Sequence, residues 1–203
     1  MYNTFTIYRR LIIMKKALST FSIAIALFSS ASFAADSYTL DSDLSSLSWA
    51  TIKKQYIIEP ATIDSLSGSL NSEGQFDVVI DLNSINTGIP IRNTRLNEVF
   101  FESAKHAPVQ VTGKIDWTTL GEGSHKVKVP AEVTLFGNTK SIEFPVVVLN
   151  AGNTVMVSSS APVIIGAADF GIPSENLTKL STLAGGIEVS DRVPLTLNLT
   201  FKK

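Results

Sequence analysis

The sequence predicts an all-β protein: an antiparallel, up-and-down β-barrel of about eight strands with two short helices in long connections. Three observations predict it. Apolar residues recur with period two through most of the chain, turn-forming residues separate these stretches, and only two stretches depart to a helical period.

The strands follow in order. Phe76, Val78, Ile80 and Leu82 alternate with Asp77, Val79 and Asp81. Val109, Val111, Ile115 and Trp117 alternate with Gln110, Thr112, Lys114 and Asp116, and Val127, Val129, Val133 and Leu135 with Lys126, Lys128, Glu132 and Thr134. Ile142, Phe144, Val146 and Val148 share a face, and Val193 to Phe201 repeats the alternation. Side chains in a strand point alternately to opposite faces, so each stretch has one dry and one wet side. Asn71-Ser72-Glu73-Gly74, Gly121-Glu122-Gly123, Phe136-Gly137-Asn138 and Asn150-Ala151-Gly152-Asn153 read as the tight links between them. Sequential hairpins give a meander, and about eight strands can close into a ring that either fills with side chains or holds one small guest. The helical stretches lie around 92–103, where Leu96, Val99 and Phe100 share a face, and around 174–184, where Leu177, Leu180 and Leu183 do. Pro173, Ser174 and Glu175 start the second and Gly185-Gly186 stops it. On a barrel, both would sit over an open end.

The first 34 residues read as a leader. From Met14, Lys15 and Lys16 precede an apolar run from Ala17 to Phe28, and Ser32 and Ala34 stand at the small-residue positions before a cleavage point. The run is shorter than the ~20 apolar residues a spanning helix needs. Residues 1–13 read as upstream material, and residues 35–203 as one domain with a core of its own. The chain has no cysteine, which excludes disulfides, thiolate metal sites and a lipid-accepting cysteine behind the leader. A free, exported, disulfide-less chain is expected in a periplasm. Net charge is −1, about −5 without the four basic leader residues, and the cations are scattered. A nucleic-acid binder shows a basic stripe instead.

Little here carries covalent chemistry. His106 and His125 are the only histidines, and neither has a neighbour at metal-ligand spacing. No Gly-x-Ser-x-Gly elbow and no glycine-rich phosphate loop occurs, and Asp77, Asp81, Glu132 and Glu143 lie on wet strand faces. The expectation is a protein that is not an enzyme and requires no cofactor and no metal. The aromatics carry more information. Trp49, Phe76, Trp117, Phe136, Phe144 and Phe201 fall on apolar faces. They are either core filling or the wall of a pocket, and an apolar interior reads the same in both cases.

Five segments stand out in order: Tyr38-Thr39-Leu40-Asp41, Ser84-Ile85-Asn86-Thr87-Gly88, Arg92 to Asn97 with Phe100-Phe101, Leu135 to Lys140, and Asp169-Phe170-Gly171-Ile172. Together they resemble the YceI-like family of periplasmic, lipocalin-like proteins. The resemblance runs from about residue 36 to the C-terminus. This chain has Leu44-Ser45, Val99, Arg95 and Gly166-Ala167-Ala168 where family members often carry His-Ser, Asp, His and Asn-Arg. The resemblance implies a hollow barrel around an elongated apolar pore, with a polyisoprenoid or isoprenoid quinone as the guest. The candidate pocket wall is then Trp49, Phe76, Val78, Ile80, Phe100, Phe101, Val111, Ile115, Trp117, Val129, Val133, Phe144 and Phe170. Arg92 and Arg95 are the candidate head-group ligands, because a guanidinium fork suits phosphate or carbonyl oxygens. Their alternative role is surface pairing with Glu98 or Glu102. Two other readings stay open: a partner-binding or stress-response module with a filled barrel, and an enzyme acting on lipid-like substrates. A homodimer is compatible with the sequence.

Overall fold

The structure is a computed structural model that describes residues 37–106, 108–118 and 120–203. The leader expected over residues 1–34 lies outside the described residues. Within them no helix is long and apolar enough to cross a membrane.

The strand segments are β1 (Ser37–Leu40), β2 (Ser46–Lys53), β3 (Ile57–Ile63), β4 (Leu66–Asn71), β5 (Gln75–Ile80), β6 (Ile85–Asn86), β7 (Val109–Lys114), β8 (Gly123–Leu135), β9 (Asn138–Asn150), β10 (Thr154–Ser159), β11 (Val163–Gly166) and β12 (Arg192–Lys202). Among the described residues, eight of them form a ring in the order β1-β4-β5-β7-β8-β9-β10-β12, closed by antiparallel pairing of β12 with β1. The other four continue ring strands past a bend. β2 extends β1 and pairs both β12 and β3; β3 leads into β4; β6 extends β5; β11 extends β10 along β12. The described residues therefore form a meander of eight strands in sequence order, the topology that the hairpin signals predict. Closure leaves no free edge in the ring to recruit another chain.

Polar side chains set the bends. Between β1 and β2, the Asp41 carboxylate accepts from the amides of Asp43 and Leu44. Buried Ser45 accepts from the amide of Thr200 at 3.0 Å, and Lys202 pairs with Asp41 at 2.6 Å. These contacts satisfy backbone groups that leave the ladder where the strand turns. The strand expected over 109–117 stops at Lys114. The Ile115 amide donates to Gly74 and the Trp117 amide to Ile115, so the backbone turns away from β5. The stretch read as starting at 127 begins at Gly123 and pairs with β9 along its full length.

The helices are α1 (Pro90–Arg95), a π turn (Leu96–Phe100), α2 (Ser103–His106) and α3 (Ser174–Leu183). The first helical stretch is thus divided, with Glu102 at φ 45° marking the break. Following strand directions, all three helices lie at one end of the ring, together with the β2–β3 and β8–β9 hairpins. The opposite end holds the turns at 71–75 and 150–154 and is packed solid. Leu70, Val148 and Val155 are wholly buried there, beside Leu120 and Tyr38, whose hydroxyl donates to Gly152 at 2.7 Å.

Candidate functional site: an apolar cavity under a helical lid

The inward faces of the strands do not meet. Inside the ring lies a cavity of about 210 Å³, which by volume is room for about seven waters. Its wall is almost entirely hydrocarbon; Thr51, Ser190 and Asp191 bring the polar side chains. Of the candidate wall residues, Trp49, Phe76, Val78, Ile80, Phe100, Phe101, Val111, Ile115, Val129, Val133, Phe144 and Phe170 line it. Trp117 does not. It follows the turn at Ile115 and packs half-buried against the core from the closed end. Phe201, expected on an apolar face, also lines the cavity, whereas Phe136 stacks on His106 with ring centroids 3.8 Å apart.

Small residues on the inner face keep the space open. Phe76 pairs across the strands with Gly113, which in turn pairs with Ala131. A Cβ on Gly113 would stand 2.5 Å from the Phe76 ring and 2.8 Å from the Pro130 carbonyl. The ring therefore lies along the wall, over a position with no side chain, rather than across the lumen. Several wall residues, among them Val111, Leu195, Leu197 and Leu199, are only half-buried although they point inward, since what they face is void.

The lid comes from two separate parts of the chain. Pro90 opens α1 at the position where a missing amide hydrogen costs least. Asn93 ties α1 back to the strand it leaves, its Oδ1 accepting from the hydroxyl (2.6 Å) and the amide (3.0 Å) of Thr87. In the π turn the Phe101 amide donates to Leu96 rather than one residue later, which rotates Leu96, Phe100 and Phe101 toward the cavity. Phe100 and Phe101 pack edge to face at 4.8 Å between centroids. From the other side α3 contributes Leu177 and Leu180. Asn176, 3% exposed, joins the two halves: its amide nitrogen donates to the Phe100 carbonyl and to the Glu102 carboxylate, both at 3.1 Å. A buried amide without such partners would be costly, so this contact fixes where α3 sits on the lid. The Phe170 turn is held in the same way, its carbonyl accepting from Asn138 of the β8–β9 hairpin at 2.9 Å.

Neither candidate head-group arginine lines the cavity. Arg92 is clamped to Glu59 of β3 by two contacts of 3.0 Å, and Lys53 of β2 pairs with the same carboxylate. The alternative partners named from the sequence are engaged elsewhere or absent: Glu102 pairs with Lys105, and Arg95 makes no ion pair among the described residues. Sequence reasoning could not find Glu59, because it lies 33 positions from Arg92. Hydrogen bonding from Lys53 is the main cause that holds the Glu59 carboxyl below the ordinary glutamate range; partial burial opposes it, and the charges of Lys53 and Arg92 reinforce it.

A pH dependence follows. A depressed carboxyl contributes stability that is complete above the unfolded value of about 4.3 and is lost as pH falls through the folded value. Glu59→Gln is therefore expected to lower the melting temperature most near neutrality, with the gap to the parent closing in acid. Asp41 and Glu102 are depressed too, by Lys202 and Lys105. Comparing the two melting curves from pH 3 to pH 7 cancels their share; a gap independent of pH would refute the role of the pair.

Sequence reasoning also missed Leu177, Leu180, Val189 and the small residues Gly113 and Ala131. The signal for the last two was present, as interruptions of bulky inward positions. Among the described residues there is no group of three or more His, Asp and Glu side chains able to hold a metal.

The sequence profile of the YceI-like domain matches residues 38–201, essentially the whole described ring. The chain belongs to the YceI-like domain family. Solved structures agree in fold. A polyisoprenoid binding domain from Saccharophagus degradans, implicated in plant cell wall breakdown, is 32% identical with a TM-score of 0.75, over 81% of this chain and 97% of that one. Burkholderia cenocepacia BcnA is 17% identical with a TM-score of 0.60, over 79% and 98%. The Campylobacter jejuni YCEI protein is 19% identical with a TM-score of 0.51, over 70% and 84%. No curated protein sequence matches the chain. In this YceI-like protein, then, the residues that carry the resemblance build the lid and its anchors more than the wall.

Proposed function

We propose that this YceI-like protein is a carrier that holds an isoprenoid-type lipid or quinone by its tail inside the ring, and that it works as an exported periplasmic protein rather than as an enzyme. The observation that carries the reading is the open apolar cavity under a helical lid. The similarity to the polyisoprenoid binding domain supports the class of guest. Apolar surface leaving water contributes roughly 25 cal/mol per Å². A tail with several hundred Å² of contact therefore has a drive on the order of 10 kcal/mol before ordering costs. No specific polar partner is required along the tail, which fits a wall of Val, Leu, Ile and Phe.

The head group belongs at the lid. Leu177, Val189 and Ser190 border both the cavity and an outer groove between α3 and the β2–β3 hairpin, where Lys54, Gln55, Thr178 and Ser181 are exposed or half-exposed. The tail lies inside and the polar end emerges into this groove, with Arg92 left to its structural pairing with Glu59. The test is organic extraction of the purified protein followed by mass spectrometry, together with titration by a short-chain prenyl quinone. Recovery of a prenyl lipid, or saturable uptake with one site per chain, is expected. A lipid-free protein that takes up no prenyl quinone would refute the carrier reading.

A further inference from the structure

Exposed apolar side chains gather at one place on the described ring. Among the described residues, nine large hydrophobics are exposed, and five of them belong to two short segments at the lid end. Tyr56 (79% exposed), Ile57 and Ile58 (66%) form the tip of the β2–β3 hairpin; Ile89 and Ile91 (56%) begin α1. The segments are held side by side. β3 pairs with β6, from which the chain enters α1, and Arg92 grips Glu59 across the gap. At the hairpin tip Lys54 and Gln55 adopt positive φ, 48° and 67°, which closes the hairpin in a tight turn and leaves Tyr56 79% exposed just after it. Isolated exposed isoleucines need no explanation, but a cluster with an aromatic at its most exposed point does.

Charge says what covers it. Residues 53–59 and 89–95 carry Lys53, Lys54, Arg92 and Arg95 against Glu59 alone, within a chain of net charge −1. Counting Glu98 and Glu188 at its margin, the face stays positive. With Lys53 and Arg92 held on Glu59, Lys54 and Arg95 are the cations that flank the exposed Tyr and Ile side chains. This is the chemistry of a surface that inserts shallowly into an anionic bilayer: apolar tips enter the acyl boundary while the flanking cations reach the phosphates. Lys54 and Gln55 of the same hairpin also line the outer groove that shares Leu177, Val189 and Ser190 with the cavity wall. The face therefore puts the exit of the cavity against whatever it docks on.

We propose that the β2–β3 hairpin tip and the start of α1, with Tyr56, Ile57, Ile58, Ile89 and Ile91 between Lys54 and Arg95, form a docking face for an anionic phospholipid membrane, through which the cavity exchanges its guest with the bilayer. The purpose of this face rests on the carrier reading; docking itself does not. The experiment is co-sedimentation of the protein with phosphatidylcholine vesicles with and without phosphatidylglycerol. It compares the parent with the double variant Tyr56→Ser, Ile58→Ser and with Ile91→Glu, neither of which touches the cavity or the groove. Uptake of a prenyl quinone from detergent, without vesicles, is measured on the same samples. The parent is expected to bind the anionic vesicles, weakening with salt. Both variants are expected to bind about tenfold more weakly, with detergent uptake unchanged. A Tyr56→Trp variant gives a second readout, an added emission quenched by brominated lipid only when the tip is inserted. Failure of the parent to sediment with anionic vesicles, equal binding by the variants, or a stable dimer that covers Tyr56 and ignores vesicles would overturn the docking face. Loss of detergent uptake in the parent would instead strike the carrier reading and leave docking standing.

Discussion

Val111→Trp is expected to abolish uptake of a prenyl quinone, at least tenfold in affinity, while leaving the melting temperature unchanged or raising it. Val111 lies at the middle of β7, pairs with Val78, and faces the cavity only half-buried. In a filled core, added volume forces rotamers and backbone apart at a cost of about 1–3 kcal/mol. Here the indole would enter empty space, gain contacts, and occupy the path of the tail. Leu197, half-buried on β12 and also lining the cavity, allows the same substitution from the other wall. Thermal melts and quinone titration of both variants separate the possibilities. Normal uptake by both would place the guest outside the ring. Marked destabilisation of both, without a bound guest in the parent, would mean that the interior is already full.

The second large effect concerns the closed end. Gly74→Ala is expected to cost about 2–4 kcal/mol of stability. Gly74 sits at φ 84° in the turn between β4 and β5, a conformation that L side chains adopt at a penalty. A Cβ there would stand 1.9 Å from the Ile115 carbonyl oxygen, and the Gly74 carbonyl accepts from the Ile115 amide at 2.8 Å. Backbone is pressed on backbone, so no side chain can give way. Gly137 supplies the control: it has φ 76° in the β8–β9 hairpin, but nothing lies within 4 Å of its would-be Cβ. Gly137→Ala should show only the conformational penalty, about 1 kcal/mol. Urea denaturation of the pair reads the difference, and equal losses would show that the close approach at Gly74 contributes nothing.

The legibility of the fold differs from that of the site. Phe76, Val78 and Ile80 could be assigned to one face because period two is a local property of any strand, and Leu177 and Leu180 could be assigned to a helix for the same reason. Hairpin signals such as Asn71 to Gly74 then set the strand order. The lining of the cavity was mostly legible too, since an inward face follows from alternation. Trp117 was not, because the alternation lapses where the Trp117 amide turns back onto the Ile115 carbonyl, just past the last bond between β7 and the start of β5. The pairing of Arg92 with Glu59 and the anchoring of α3 through Asn176 join residues 33 and 74 to 76 positions apart. No periodicity records such contacts.

Alternation and turn chemistry act between near neighbours along the chain, so a ring of antiparallel strands with greasy alternate faces can be read from the residues in order. That the ring is hollow cannot be read that way. Whether inward side chains meet depends on the ring's diameter and on how Gly113 lets the Phe76 ring lie flat, and both are set by strands brought together across the whole chain. The same is true of the exposed cluster at the lid: Tyr56 and Ile91 lie far apart in sequence, and only closure of the sheet makes them one surface.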